Sequence, residues 1–173
     1  MKNIVIYKSK SGFVKKYAEW IAAELAADLF EASEVTIDKL AAYDTVIYGG
    51  GLYAVGINGV KFITRNLDKL KGKKVVVFAS GATPPREEAI HEVRNRNFSV
   101  EQQQRIRFFY LRGGFDYDKL KPVDKVLMTL MKWKLKGKKE LAADERGMLA
   151  AYDQPADFTR KKNIDELIAY VRS

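Results

Sequence analysis

The chain contains no cysteine, an absence that removes disulfides, thiolate nucleophiles, cysteine-ligated iron–sulfur clusters and thiolate zinc sites together. Redox chemistry here needs a borrowed cofactor. There is one histidine, His91, within the charged stretch PREEAIHEVRNRNF, where it reads as a solvated helix residue; without a second imidazole or a thiol, no dedicated transition-metal site is expected. Glu87 and Glu88 of the same stretch read as first-turn residues offsetting a helix dipole. No apolar run reaches the length of a membrane-spanning helix, and the opening MKNIVIYKSK is too short and lacks the cleavage site of a signal peptide. The expected location is cytoplasmic. Neither G-x-x-x-x-G-K-S/T nor G-x-G-x-x-G occurs, which sets aside a triphosphate-binding P-loop and a dinucleotide fingerprint. No internal repeat, low-complexity tract or linker divides the chain.

What is present suffices for one core. With 173 residues, 47% hydrophobic and 31% charged, the chain has no surplus for a second full domain, so one domain over 1–173 is expected. Its formal charge of +9 draws anionic partners such as nucleic acid, acidic lipid headgroups or a polyanionic small molecule, and a lysine-rich solvated surface accounts for it as well. Nucleic acid is the weaker of these, because the basic residues form no recognition motif and the aromatics follow core periodicity; no specific nucleic-acid partner is expected.

IVIY (4–7), VTI (35–37), TVIYG (45–49), KVVVFASG (74–81) and RIRFFYLRGG (105–114) are near-continuous β-branched or aromatic runs, as in strands covered on both faces. Helical spacing lies between them over 13–29 (Val14, Tyr17, Ala18, Ile21, Ala22, Leu25) and 57–70 (Ile57, Val60, Ile63, Leu67), and again over 163–172 (Ile164, Leu167, Ile168, Val171). Strand and helix in alternation imply right-handed crossovers and an α/β, doubly wound, five-stranded parallel sheet of order 2-1-3-4-5. Such sheets bind ligands beyond the carboxyl ends of their strands, so the loops after strands 1, 3 and 4 are where a site is expected. The stretch from about 115 to 157 is too long for a tight connection and reads as an insertion with its own helix.

Ser9-Lys10-Ser11-Gly12 falls at the start of the first helix, where unpaired backbone N–H groups and the dipole favour an anion. Two hydroxyls, a cation and a glycine suit a phosphate; a helix cap at Ser11 and a plain turn at Gly12 explain the same residues equally well. The loop YGGGLYAVGING (48–59) carries three consecutive glycines and Tyr53, a flat face for a planar ring or a cover for the sheet edge. ASGATPP (79–85) brings small residues and Ser80, for close passage of a ligand or for entry into the next helix.

Together these loops resemble the flavodoxin-like family, whose first loop, T/S-x-T/S-G-x-T, wraps the phosphate of flavin mononucleotide (FMN). The matching stretch is Ser9-Lys10-Ser11-Gly12-Phe13-Val14, with Val14 where the pattern has threonine and one hydroxyl donor is therefore missing. The resemblance implies that Gly51, Leu52, Tyr53, Ala54 and Val55 border the isoalloxazine ring and that Ser80, Gly81 and Ala82 meet its opposite edge. A response regulator shares the sheet order but needs an aspartate pair after strand 1 and a phosphoacceptor aspartate after strand 3, and this chain has neither. Within the superfamily, VIYGGGLYAVGINGVKFI and YLRGGFDYDKLKPVDKVLMTLMKWKLKG are similar to flavodoxin-domain proteins grouped with menaquinone-dependent protoporphyrinogen oxidase. That group has a glycine pair, a tyrosine and then a basic amphipathic insertion in the second stretch.

In the insertion, Val123, Val126, Leu127, Leu130, Met131 and Leu135 fall near one helical stripe flanked by lysines, with Trp133 among them. Such a helix over 122–139 suits the surface of an anionic membrane, peripheral on the inner face, and equally suits docking on the protein's own sheet. The function implied is an FMN-binding oxidoreductase passing electrons from a reduced organic substrate, such as a porphyrinogen, to an acceptor such as a quinone. An electron carrier serving protein partners and, given Val14, a flavin-free interaction module are the alternatives. No residue stands out as a catalytic acid or base.

Overall fold

The computed structural model describes the backbone of residues 1–173 and every side chain except those of Asp144 and Ala151. β1 (Asn3–Lys8) leads into α1 (Phe13–Leu25) and β2 (Asp28–Glu31). β3 (Thr45–Tyr53) turns back as the short β4 (Gly56–Ile57), followed by α2 (Lys61–Thr64) and β5 (Lys74–Gly81). Then come α3 (Glu87–Asn97), α4 (Val100–Arg105), β6 (Ile106–Arg112), β7 (Gly114–Phe115), α5 (Pro122–Lys136), α6 (Ala143–Ala151), β8 (Ala156–Asp157) and α7 (Asp165–Arg172).

The sheet runs β2-β1-β3-β5-β6 with all pairings parallel, and β4 adds antiparallel to the end of β3. This is the expected 2-1-3-4-5 order of a flavodoxin-like α/β fold. Successive strand residues point to opposite faces. Ile4, Ile6, Val46, Tyr48, Val75 and Val77 therefore pack on one side with Ile63, Leu67, Leu70 and Phe98. Val5, Ile47, Val76 and Phe78 pack on the other with Tyr17, Ile21, Leu167 and Val171 of α1 and α7.

Two elements differ from expectation. The second strand is Asp28–Glu31, not 35–37: α1 ends at Ala26, which adopts the left-handed conformation at φ 47° and closes the helix onto Ala22 and Ala23. Helical spacing had carried on through Leu29, which instead sits in a half-buried edge strand. Val35 fills the core between two 3-10 turns without joining the ladder. Over 57–70 the apolar residues are buried as the spacing demands, but the chain is broken into β4, α2 and a 3-10 turn at Leu67–Leu70. Gly59 at φ 76° bends the entry, and the Asn66 side chain bonds the Phe62 carbonyl in competition with the backbone. Glu87 and Glu88 occupy the first turn of α3, and His91 is exposed on the same helix near Glu87.

The insertion leaves and rejoins the core through a neck in which β7 and β8 pair antiparallel, Gly114 with Asp157 and Phe115 with Ala156. It holds two helices, α5 and α6, joined by a ring cluster: Phe115 and Tyr117 lie 5.2 and 5.5 Å from Tyr152 between centroids. The Tyr152 hydroxyl donates to the Met128 carbonyl at 2.6 Å.

Candidate functional site

At the carboxyl end of the sheet, three loops open into a cleft of about 400 Å³. The first is the turn between β1 and α1. Gly12 caps α1 at φ 93°, a conformation that favours glycine, and no side chain caps the helix. Ser11 is therefore not a helix cap, and the first-turn N–H groups are left for another acceptor. The Ser9 hydroxyl accepts from the Gly12 N–H at 3.1 Å and shapes the turn from behind, outside the cleft. Lys10, Ser11, Phe13 and Val14 line the cleft; Val14 is also 4% exposed and packs into the core beneath.

The second wall is the end of β3. Gly49 has no room for a side chain, since a Cβ there would lie 2.0 Å from the Phe78 ring. Gly51 faces Val14 across the cleft, and Leu52, Tyr53 and Ala54 continue the lining. The hairpin beyond is rigidly held. Asn97 of α3 accepts from the Ile57 N–H at 2.9 Å and donates to the Val55 carbonyl at 2.7 Å, while the Tyr48 hydroxyl donates to the Asn58 carbonyl at 2.9 Å. Val55 is thereby turned into the core side and does not reach the cleft. Burial raises the Tyr48 hydroxyl's pKa, keeping it a neutral donor.

The third wall is the end of β5, where Ser80, Gly81 and Ala82 line the cleft with Thr83. Gly113 N–H donates to the Gly81 carbonyl at 2.7 Å, Arg112 Nε to Ala82 at 3.1 Å and the Tyr110 hydroxyl to Thr83 at 2.7 Å. Burial is the main cause of the Tyr110 pKa rising to about 12. Ser80 Oγ is buried without a hydrogen-bond partner among the described residues.

A fourth wall comes from the insertion. Phe115, Asp116, Leu120, Leu127, Met128, Met131 and Met148 line the outer side, and Asn58 joins the inner one. The sequence reading missed these residues: Leu127 and Met131 stood on the predicted stripe, but periodicity carries no information about which body a stripe faces. The stripe is not laid on the sheet. Val123, Leu130 and Trp133 are 80, 56 and 67% exposed, whereas Leu135 is buried.

Lys10 crosses from the first loop to the insertion. Its ammonium lies 3.1 Å from Asp124 Oδ2 and 4.0 Å from the centroid of the Tyr53 ring. Burial works against the charge on Lys10, but hydrogen bonding and attraction from Tyr53 and Asp124 outweigh it and raise its pKa. Burial likewise opposes ionisation of Asp124, and its contacts with Tyr53, Lys10 and Lys121 prevail to lower its pKa.

An open parallel sheet with an uncapped helix end, a glycine-rich strand end and a small-residue loop meeting at its switch point defines an α/β protein whose cleft suits an anionic, partly flat ligand. The chain belongs to the flavodoxin domain family, whose model matches residues 4–142. An uncharacterized protein of Methanocaldococcus jannaschii is 32% identical over 100 residues, covering 56% of this chain and 65% of that protein, less than two thirds of its length. Among solved structures, the Trp repressor binding protein of Bacillus subtilis is similar in fold, with TM-score 0.51, 16% identity and coverage of 81% of this chain and 100% of that one. The two-electron reduced Megasphaera elsdenii flavodoxin is similar at TM-score 0.45 and 19% identity, over 61% of this chain and 84% of that one. Family membership supports a flavin cofactor.

Proposed function

We propose that the protein is an FMN-binding oxidoreductase that passes electrons between a reduced organic substrate and an acceptor such as a quinone. The observation that carries this reading is the uncapped N-terminus of α1, opening with Lys10 and Ser11 into the same cleft as the β3 and β5 loops. The residues fit the group. The α1 N–H groups and Ser11 would hold the phosphate, and Gly51 to Ala54 with Ser80 to Ala82 would border the ring. The unpaired Ser80 hydroxyl is a polar atom that a ligand's edge can satisfy. When bound, the flavin supplies the electron or hydride transfer that no side chain of this chain provides. The protein's part is to bind and orient it, to exclude water through the Met128, Met131 and Met148 wall, and to favour an anionic reduced ring through its positive field.

The same wall supports an enzyme over a carrier, since it encloses space beside the flavin loops for an apolar substrate. A porphyrinogen, as in the protoporphyrinogen oxidase grouping, would bring carboxylates toward the +9 charge. The exposed apolar face of α5, set among lysines, favours peripheral contact with an anionic membrane; no described helix is long and apolar enough to cross one.

Purified protein is expected to be yellow, or to quench FMN fluorescence on titration. A colourless preparation that fails to bind FMN at micromolar concentration overturns the reading in favour of an interaction module. Anaerobic reduction followed by separate addition of menaquinone and of a protein acceptor distinguishes enzyme from carrier.

A further inference from the structure

One residue beside the cleft has no part in the reading above: Asp124 of the insertion, which meets Lys10 of the first loop, itself set over the Tyr53 ring of the third strand. Lys10 Nζ lies 3.1 and 3.4 Å from the two Asp124 carboxylate oxygens. Tyr53 stands in reach of both partners. Of the 15 residues of α5, only Asp124 and Leu135 are buried. A helix docked for stability alone would bury apolar residues here, because a buried ion pair brings little net stability over an apolar contact of the same size. This helix instead leaves Val126, Leu130 and Trp133 in solvent and buries a carboxylate against the lysine of the anion loop.

We propose that Asp124 is a positioning residue that competes with the anionic group of the cleft's ligand for Lys10, so that ligand capture loosens the hold of residues 114–157 on the cleft. In naming that anion as the FMN phosphate, the inference rests on the flavin reading. The Lys10 ammonium is a single point charge on a flexible stem. Held by Asp124, it is neutralised and a carboxylate stands beside the anion loop. When a phosphate draws it back, Asp124 loses its partner and α5 its latch. The pivot is the neck, where β7 and β8 share only two paired residues each.

The first measurement is affinity for FMN and for riboflavin, which differ by the phosphate, in the parent protein and in Asp124→Asn, Asp124→Glu, Lys10→Met and the Lys10→Met/Asp124→Asn double variant. Asp124→Asn is expected to tighten FMN relative to riboflavin by about two- to fivefold, the scale of a partly exposed ion pair. Asp124→Glu should keep the parent ratio, and Asp124→Asn should add nothing in the Lys10→Met background. An equal change for both flavins, or none, overturns the proposal. The second measurement needs no flavin. Because the chain has no cysteine, Val126→Cys on α5 and Glu88→Cys on α3 place two spin labels cleanly. A narrow distance distribution in the labelled parent that broadens with Asp124→Asn and with Lys10→Met is the expected result; identical distributions overturn the latch. A protein that binds neither flavin refutes the flavin reading only, and the distance measurement then decides the latch.

Discussion

Gly49 and Val14 show how single residues shape the cleft from opposite sides. Gly49 lets the Phe78 ring fill the core directly below the binding loops, where a Cβ would stand 2.0 Å from its tip. Gly49→Ala is expected to lower unfolding free energy by about 1–3 kcal/mol, as overpacking does. Urea denaturation measures this, and an unchanged midpoint would show that Phe78 has room to retreat. Val14 is buried yet borders the cleft, so its threonine variant places a hydroxyl in an apolar setting unless a ligand receives it. Val14→Thr is expected to destabilise the ligand-free protein by about 1–2 kcal/mol and to tighten FMN binding. Thermal melts with and without FMN separate the two effects; weaker FMN binding would place the phosphate elsewhere.

The insertion behaves as an element with its own small core. Neither Leu135 nor Tyr152 belongs to the two clusters that sandwich the sheet, and the neck strands end in a paired Phe115 and Ala156. Replacing 116–155 by Asn-Gly, a two-residue hairpin turn, should therefore leave a cooperatively folding sheet domain with an exposed cleft. Circular dichroism and a single melting transition would establish it, and an unfolded product would make the insertion part of the main core. The latch gives this element a defined pH range. Asp124 has its pKa lowered from 3.8, so its contribution is present above that value and is lost as pH falls through the lower folded-state value. Lys10 has its pKa raised from 10.5, so its contribution is present below that value and is lost as pH rises through the folded-state value. The spin-label distance should stay constant from about pH 5 to about pH 9 and broaden only outside that window. Broadening at neutral pH would contradict the pairing.

For the whole molecule, the proposed membrane contact rests on the charge of +9 and the exposed face of α5 together. Flotation with vesicles containing anionic lipid is expected at physiological ionic strength and should fall steeply toward about 1 M salt, where the screening length shrinks to about 3 Å. Neutral vesicles should recover little protein. Equal recovery on both, or none on either, removes the membrane reading.

The sheet order was legible because strands covered on both faces must be apolar throughout, and 45–49 and 74–81 carry that signature unaided. The edge strand Asp28–Glu31 was not, since only Leu29 and Phe30 are half-buried and the helical spacing of α1 runs through them. The broken segment 57–70 shows the same limit: spacing records which residues are buried, and Gly59 and Asn66 decide whether a helix connects them. At the site, the residue types of the first, third and fourth loops marked an anion next to a flat ligand. Ser9-Lys10-Ser11-Gly12 offered two readings of equal standing; the structure removes the helix cap at Ser11 and shows Gly12 making a left-handed turn. The sequence alone determined the parallel sheet, the three loops and that any redox chemistry would need a borrowed group, because these follow from local composition and spacing. Only the tertiary structure decided that the insertion walls the cleft and that Asp124 meets Lys10 across 114 positions of chain, because nothing local relates residues so far apart.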